Sequence, residues 1–139
     1  MATIEKALQI AARAHEGQQE KDGQAYIMHP LRVMSAVEGE EARIVAVLHD
    51  VIEDSPITAE DLRREGFGEA IVAAVERLTH RKDDPYAEYV IRCKGNDIAR
   101  RVKLADPEDN ARPSRAILRS DRLEPDLAYK FLTDMLTEE

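Results

Sequence analysis

The sequence predicts an all-α fold, a bundle of about eight helices without a sheet. Apolar residues recur every three or four positions along nearly the whole chain, which is the spacing of an amphipathic helix. The alternation of apolar and polar residues that marks a half-buried strand is absent, and the β-branched residues fall inside helical patterns. Glycine and proline are scarce, at six each, so few positions force a helix to stop.

The first helices follow from capping and spacing. Thr3 is a suitable N-cap for a helix over 4–15, and the polar stretch 16–24, with its two glycines, predicts a loop. A short helix over 31–37 and a central, buried helix over the apolar segment 41–53 come next. After a turn, Thr58 and Asp61 predict a capping box at the start of another helix. Apolar residues at helical spacing predict the remaining helices over 71–78, 86–91, 98–105 and 123–135.

Length and charge limit the possible functions. The 139 residues suffice for one domain with a single core and not for two, so we expect one domain over 1–139. The net charge of −8 disfavours non-specific binding to DNA, RNA or an anionic membrane. An anionic small molecule remains a possible substrate, because a local basic patch or a metal ion reverses the field. The sequence leaves open whether the protein is an oligomer.

The single cysteine, Cys93, indicates a reducing compartment, because it excludes an internal disulfide and a thiolate zinc cluster. The sequence shows no signal peptide and no apolar stretch of membrane-spanning length. We therefore expect a cytoplasmic protein.

The stretch AVLHDVIEDS, residues 46–55, concentrates charge in an apolar environment. It holds His49, Asp50, Glu53 and Asp54 within six positions. Unpaired charges are costly to bury, so cations from elsewhere, a metal ion or an open cleft must compensate them. On one continuous helix the first and third of these residues share a face and the other two share the adjacent face. All four would then project from one end of a buried helix.

Two other segments supply matching groups. His29 directly precedes Pro30, and VKLADPEDN places Lys103, Asp106 and Asn110 at i, i+3 and i+7. Two imidazoles and two carboxylates from three segments can form a mixed nitrogen and oxygen site, which suits Mn, Fe or Zn better than Ca or Mg. Water bound to such an ion becomes hydroxide near neutral pH. A carboxylate that is not a ligand could orient that water or take its proton.

Several of these residue types also have purely structural interpretations. A His-Asp dipeptide by itself favours an ordinary ion pair, and His15 fits a hydrogen-bonded core histidine. His80 lies at a predicted helix end, where a protonated imidazole interacts favourably with the helix dipole. Tyr26 could form a wall of the cleft or anchor a loop, and Tyr89 could belong to the core.

The segments HEGQ, YIMHPLRV, AVLHDVIEDS and VKLADPEDN, in this order and at these intervals, resemble the HD-domain metal-dependent phosphohydrolases. They are most similar to the hydrolase domain of the bifunctional Rel/SpoT alarmone enzymes and to the small stand-alone alarmone hydrolases. The resemblance spans roughly residues 4–112. It implies a helical HD-type fold with a metal site in a central cleft. The implied reaction removes pyrophosphate from the 3′ position of a guanosine tetra- or pentaphosphate.

The resemblance also implies roles for ten residues. One Mn²⁺ ion would be held by His29, His49, Asp50 and Asp106. Glu53 and Asp54 would serve the attacking water. The nucleotide and its phosphates would meet Lys21, Lys103, Asn110 and Arg112.

Two segments depart from the family pattern. Glu20 stands before Lys21 where the family usually has two adjacent basic residues. Pro107, Glu108 and Asp109 follow the last ligand, where a basic residue and then apolar ones are usual. The added negative charge near the mouth of the cleft opposes a heavily phosphorylated guanosine. Pro107 also lacks the N–H that would bond to the carbonyl four residues back, so we expect the helix to bend there.

Three functions are compatible with these observations. The first is a stand-alone alarmone hydrolase, and the second is a hydrolase of the same superfamily acting on another nucleotide. The third is a non-catalytic HD module that binds a metal and a nucleotide. The Glu53-Asp54 pair counts against the third function, because a pure binding module needs no carboxylates beyond the ligands.

Overall fold

The computed structural model describes residues 2–110, with side chains through Asp106, and confirms the all-α prediction. No strand forms within this part of the chain; Gln19 and Ala25 make one isolated antiparallel bridge across a loop. The predicted helix over 123–135 lies outside the described residues. The helices are α1 (Ile4–Ala14), α2 (Met28–Ser35), α3 (Glu40–Leu48), α4 (Val51–Asp54), α5 (Ala59–Arg64), α6 (Glu69–Leu78), α7 (Tyr86–Lys94) and α8 (Asp97–Asn110).

Helix α3 forms the centre of the bundle and contacts α1, α2, α6 and α8. Every residue from Ile44 to Leu48 is at most 2% exposed, because neighbours cover all sides of the helix. Burying a valine or leucine side chain of this kind contributes about 1.5–3 kcal/mol to folding. This apolar run therefore fixes the end of α3, and with it the start of the charged stretch.

The predicted continuous helix over 41–53 is wrong at its charged end. Helix α3 ends at Leu48, α4 is a separate single turn, and His49 and Asp50 form the junction. The backbone of Asp50 has φ −103° and ψ 0°, away from the centre of the helical region. The His49 ring donates from Nδ1 to the Ala46 carbonyl at 2.5 Å. It thereby competes for the carbonyl that the Asp50 N–H would use in an unbroken helix.

Helix α2 begins at Met28, three residues before the predicted start at Leu31. Pro30 is therefore the third residue of the helix, where a missing N–H costs nothing because the first four N–H groups of a helix have no partner within it. This start places His29 in the first turn. There the imidazole is 3% exposed.

The remaining capping predictions agree with the structure. Thr3 accepts a hydrogen bond from the Lys6 N–H at 3.2 Å. Thr58 and Asp61 form the capping box expected at the start of α5. Helix α8 continues through Pro107 to Asn110, so the proline does not end it.

Helices α2, α3 and α8 contact one another pairwise. His29, the junction after α3 and Asp106 consequently meet at one place inside the bundle. None of the helices formed by residues 2–110 is long and apolar enough to cross a membrane.

Candidate metal centre and active site

Three of the four predicted metal ligands converge. His29, His49 and Asp50 each place one ligand atom within 4.8 Å of the other two. The Oδ2 atom of Asp50 lies 3.1 Å from His49 Nε2 and 3.7 Å from His29 Nε2. Atoms that share an ion at about 2.0–2.2 Å lie roughly 3 to 4 Å apart, so this spacing fits a transition metal.

Asp106 reaches the same group from α8. Its Oδ1 atom lies 2.9 Å from His29 Nε2, and its Oδ2 atom lies 4.0 Å from His49 Nε2. Both histidines therefore direct Nε2 toward the two carboxylates. The four predicted ligands come from three segments and form one cluster.

The orientation of His49 favours a ligand for its second nitrogen. Because the Ala46 carbonyl can only accept, Nδ1 must carry the proton of the neutral ring, which leaves the lone pair on Nε2. His49 Nε2 is buried and makes no hydrogen bond within the described part of the chain. Ligating histidines are commonly oriented in this way by a backbone carbonyl. The cluster thus has the donor set and the orphaned buried nitrogen that a divalent ion would satisfy.

The electrostatics of the cluster keep its carboxylates ionised. Burial alone would raise the pKa of Asp50, but the neighbouring His49 outweighs burial and lowers that pKa to about 2. Burial likewise opposes ionisation of Asp106, yet His29, Lys103 and His49 hold its pKa below the ordinary value. Burial would lower the pKa of His49, but Asp50 raises it above the ordinary value. A proton on His49 therefore helps to compensate the carboxylates until an ion replaces it.

The two predicted catalytic carboxylates lie in α4 and point to different neighbours. Glu53 Oε1 accepts a hydrogen bond from the His80 backbone N–H at 2.7 Å. Burial is the main cause of the raised pKa of Glu53, as it is for Asp54, with the charge of Asp50 adding to both. The helix breaks at His49, but the Asp54 N–H donates to the Asp50 carbonyl at 2.9 Å, so these two residues still lie one helical turn apart. Both carboxylates of α4 remain within electrostatic reach of the cluster.

The four predicted substrate-binding residues differ in exposure and in their distance from the cluster, and one of them lies outside the described residues. Lys21 is exposed in the loop between α1 and α2. Lys103 is only 8% exposed, and its Nζ lies 3.8 Å from Asp106 Oδ2. Asn110 is the last residue of α8, and Arg112 lies outside the described residues.

Lys103 is held against an aromatic cluster. Its Nζ lies 4.8 Å from the Tyr89 ring centroid and 5.9 Å from that of Tyr86. Burial would lower the pKa of Lys103, but Asp106 and the two tyrosines raise it, so the side chain stays cationic. The i, i+3 spacing places Lys103 one turn from Asp106, whereas its burial against Tyr86 and Tyr89 was not apparent from the sequence.

Glu20 does not add an exposed charge to the mouth of the cleft. Glu20 is 5% exposed, and its carboxylate forms an ion pair with Arg32 of α2. The expectation that Glu20 opposes an anionic substrate is therefore corrected, because Arg32 compensates its charge. The side chains of Glu108 and Asp109 lie outside the described residues.

The structural interpretations of three residues agree with the structure. His15 is 2% exposed and hydrogen-bonds to Gln18 Oε1 at 2.9 Å, and Tyr89 is 5% exposed. The His80 ring interacts with the Asp84 carbonyl at 2.8 Å and stacks on Tyr89 with centroids 4.6 Å apart. The backbone N–H of His80 bonds to Glu53, a role for which the side-chain pattern gives no signal.

Tyr26 is a site residue that the sequence left undecided. Its hydroxyl donates to Asp50 Oδ2 at 2.6 Å. The signal available in the sequence was its position three residues before His29, within YIMHP. A loop residue so placed lies beside the first turn of the next helix.

A family model described as an HD domain matches residues 7–110. The chain is 33% identical over 129 residues to a GTP pyrophosphokinase of Streptomyces coelicolor, covering 84% of this chain and 15% of that protein. It is 45% identical over 74 residues to a guanosine-3′,5′-bis(diphosphate) 3′-pyrophosphohydrolase of Haemophilus influenzae, covering 50% of this chain and 11% of that protein. The chain thus matches only a small part of the length of these relatives.

A solved structure is also similar in fold. It is reported as a metazoan ortholog of SpoT that hydrolyzes ppGpp and plays a role in starvation responses. The TM-score is 0.79 at 24% identity, over 99% of this chain and 87% of the other. With the family match extending over most of the described residues, this chain belongs to the HD domain family.

Proposed function

We propose that this protein is a Mn²⁺-dependent phosphohydrolase that removes pyrophosphate from the 3′ position of guanosine tetra- and pentaphosphates. The observation that carries the proposal is the buried cluster of His29, His49, Asp50 and Asp106, with its orphaned imidazole nitrogen. The names of the relatives, which include 3′-pyrophosphohydrolases of guanosine bis(diphosphate), support this substrate class.

The reaction is a hydrolysis. Water attacks the phosphorus bound to the ribose 3′ oxygen, the O3′–P bond breaks, and pyrophosphate and a nucleotide with a 3′ hydroxyl leave. A divalent ion held by His29, His49, Asp50 and Asp106 would lower the pKa of the water and polarise the phosphoryl group. Each ligand is suited to this, because the carboxylates are ionised and each imidazole directs Nε2 inward.

The roles of Glu53 and Asp54 follow from their surroundings. Burial keeps the pKa of each carboxyl above its ordinary value, which favours accepting a proton from water. The hydrogen bond from the His80 N–H fixes one oxygen of Glu53 and leaves the other for the water. We assign proton transfer to Glu53 and alignment of the water to Asp54.

Cations beside the cluster would receive the substrate phosphates. Lys103 stays charged at 3.8 Å from Asp106, and Lys21 is exposed on the loop that precedes α2. Asn110 and Arg112 belong to the same proposal by their positions after Asp106 in the sequence.

The proposed location is the cytoplasm. The single cysteine, Cys93, is buried, and its thiol donates to the Arg77 carbonyl at 3.2 Å, in keeping with a reducing compartment.

Hydrolysis of a different nucleotide phosphate is the second candidate. It is favoured by the residue before Lys21, which is an acid and not a second cation. That residue, Glu20, is buried in an ion pair with Arg32. A non-catalytic module is disfavoured, because the structure holds Glu53 and Asp54 beside the cluster although neither is needed as a ligand.

A substrate screen tests the three possibilities. Protein purified without chelator is assayed with added Mn²⁺ on nucleotides that include 3′-pyrophosphorylated guanosines, and released pyrophosphate is measured. We expect turnover of the 3′-pyrophosphorylated guanosines, with His49→Gln as the inactive control. Turnover confined to other nucleotides would favour the second candidate. Metal binding without any turnover would favour the third.

A further inference from the structure

The loop between α1 and α2 contacts both ends of α4. At the C-terminal end, Gln18 Nε2 donates to the Asp54 carbonyl at 2.9 Å. The same amide group donates to the Ala14 carbonyl at 3.2 Å, and its Oε1 atom pairs with His15 Nδ1 at 2.9 Å. At the N-terminal end, the Tyr26 hydroxyl reaches Asp50. A four-residue helix has little stability of its own, so such contacts decide where its carboxylates lie.

The Tyr26 hydroxyl bonds to the oxygen that faces the two imidazoles. It donates to Asp50 Oδ2 at 2.6 Å, the same atom that lies 3.1 Å from His49 Nε2 and 3.7 Å from His29 Nε2. A short hydrogen bond to an ionised carboxylate is among the stronger ones in proteins. The bond therefore selects one rotation of the Asp50 carboxylate.

The phenol ring is itself held in place. Its centroid lies 4.8 Å from that of His15 and 5.7 Å from that of His29. The Tyr26 backbone N–H donates to the Gln18 carbonyl at 2.9 Å. Burial and the charge of Asp50 raise the pKa of Tyr26, so the hydroxyl keeps its proton and remains a donor.

The backbone joins Asp50 to the second carboxylate residue of α4. The Asp54 N–H donates to the Asp50 carbonyl at 2.9 Å, one helical turn away. A displacement of Asp50 is therefore transmitted to Asp54.

We propose that Tyr26 is a positioning residue, whose hydroxyl fixes the Asp50 oxygen that faces the ion and, through the backbone bond between Asp50 and Asp54, holds α4 in place. This role rests on the metal-dependent hydrolase proposed above. The partner of the hydroxyl is a residue of the metal centre and not the substrate. Loss of the hydroxyl therefore acts first on metal affinity and then on turnover.

The test removes only the hydroxyl, with Tyr26→Phe, and measures binding of Mn²⁺ by the electron paramagnetic resonance signal of the free ion. Loss of an outer hydrogen bond to a metal ligand typically weakens binding or activity by about 10–100-fold, and we expect the Kd for Mn²⁺ to rise on that scale. At saturating Mn²⁺ we expect kcat to stay below wild type with little change in KM, because α4 and its two carboxylates are held less firmly at Asp50.

Two control variants distinguish a loss of Asp50 positioning from a general loss of protein stability. Thr58→Ala removes the α5 cap, which involves no residue of the cluster, and costs about 1 kcal/mol of stability. Gln18→Leu removes the donor to the Asp54 carbonyl, together with the side-chain bonds to Ala14 and His15, and leaves the Tyr26–Asp50 bond. We expect both variants to bind Mn²⁺ within about twofold of wild type, the scatter tolerated for changes that do not touch the ligands.

Wild-type affinity for Mn²⁺ in Tyr26→Phe would overturn the proposal, and so would equal weakening in all three variants, which would reflect lost stability. Full recovery of kcat in Tyr26→Phe at saturating Mn²⁺ would overturn the part that concerns the position of α4. The binding measurement needs no substrate. A protein that binds Mn²⁺ through Tyr26-dependent ligands but hydrolyses nothing would contradict the proposed function alone.

Discussion

Two clusters of charge in this protein differ in how they are solvated. On the surface, Arg63 bonds to three carboxylates, those of Glu60, Glu69 and Glu76, at 2.9–3.2 Å, and water reaches all three. In the interior, the candidate metal centre leaves the buried His49 Nε2 without a hydrogen bond in the described part of the chain. That nitrogen lies within 4.0 Å of two carboxylates. A buried nitrogen set among carboxylates, and not charge density, distinguishes the candidate functional cluster.

The largest expected effect is loss of the metal from the interior cluster. His49→Ala removes one ligand and should abolish stoichiometric transition metal, measured by elemental analysis of protein purified without chelator. Arg63→Ala, its surface counterpart, should keep the metal and the activity and change the melting temperature by only a few degrees. Metal retained in full by both His29→Ala and His49→Ala would contradict the ligand assignment.

The next largest expected effect is a fall in kcat when a carboxylate of α4, but not one of the surface cluster, is replaced by its amide. Glu53→Gln keeps an acceptor for the His80 N–H but removes the base, so metal content and melting temperature should hold while kcat falls at least about a hundredfold. Asp54→Asn should behave similarly. Glu69→Gln is the matched change at an exposed carboxylate and should leave kcat unchanged. A wild-type kcat in both site variants would mean that these carboxylates are structural.

The smallest expected effect is a change with pH. The metal-free protein should lose stability as the pH rises, whereas its affinity for Mn²⁺ should increase. Without metal, the raised pKa of His49 stabilises the fold fully below the ordinary value of about 6.5, and this contribution is lost as the pH rises through the raised value. Mn²⁺ must displace that proton, so its affinity should rise with pH, by about tenfold per unit for each proton released. Melting curves with and without Mn²⁺ between pH 6 and 8.5 measure both trends.

The surface cluster provides the contrast for this measurement. Arg63 lowers the pKa of Glu69, so its contribution to stability is lost only as the pH falls into the acid range. An Arg63→Ala protein should therefore show the same trends at neutral pH as wild type. Parallel melting curves with and without the ion would argue against an imidazolium in the metal-free cluster.

Periodicity was sufficient to predict the helical architecture, because most helices bury one apolar face against α3. It could not predict the break after α3, because that break depends on a bond between the His49 ring and the Ala46 carbonyl. Propensity treats this stretch as helix throughout. The single turn after the break nevertheless keeps Asp50 and Asp54 one turn apart, because the Asp54 N–H donates to the Asp50 carbonyl.

The burial and the partners of individual charged side chains could not be predicted from the sequence either. Glu20 was expected at the mouth of the cleft, but it is buried against Arg32, twelve positions further along the chain. The spacing of Lys103 placed it one turn from Asp106, but its contacts with Tyr86 and Tyr89 of α7 were not predicted. The pairing of Glu20 with Arg32 and that of Lys103 with the tyrosines depend on tertiary contacts, which spacing along one segment does not encode.

The shortness of α4 has a consequence for how the protein opens. One turn of helix cannot persist after its outside contacts break, so α4, the loop residues Gln18 and Tyr26, and the segment at His80 should open together as one cooperative unit. Their amide hydrogens would then exchange with solvent at a common rate, slower than fraying ends and faster than the core of α3. An ion bound at Asp50 would slow exchange across this whole unit, including backbone that never touches the ion.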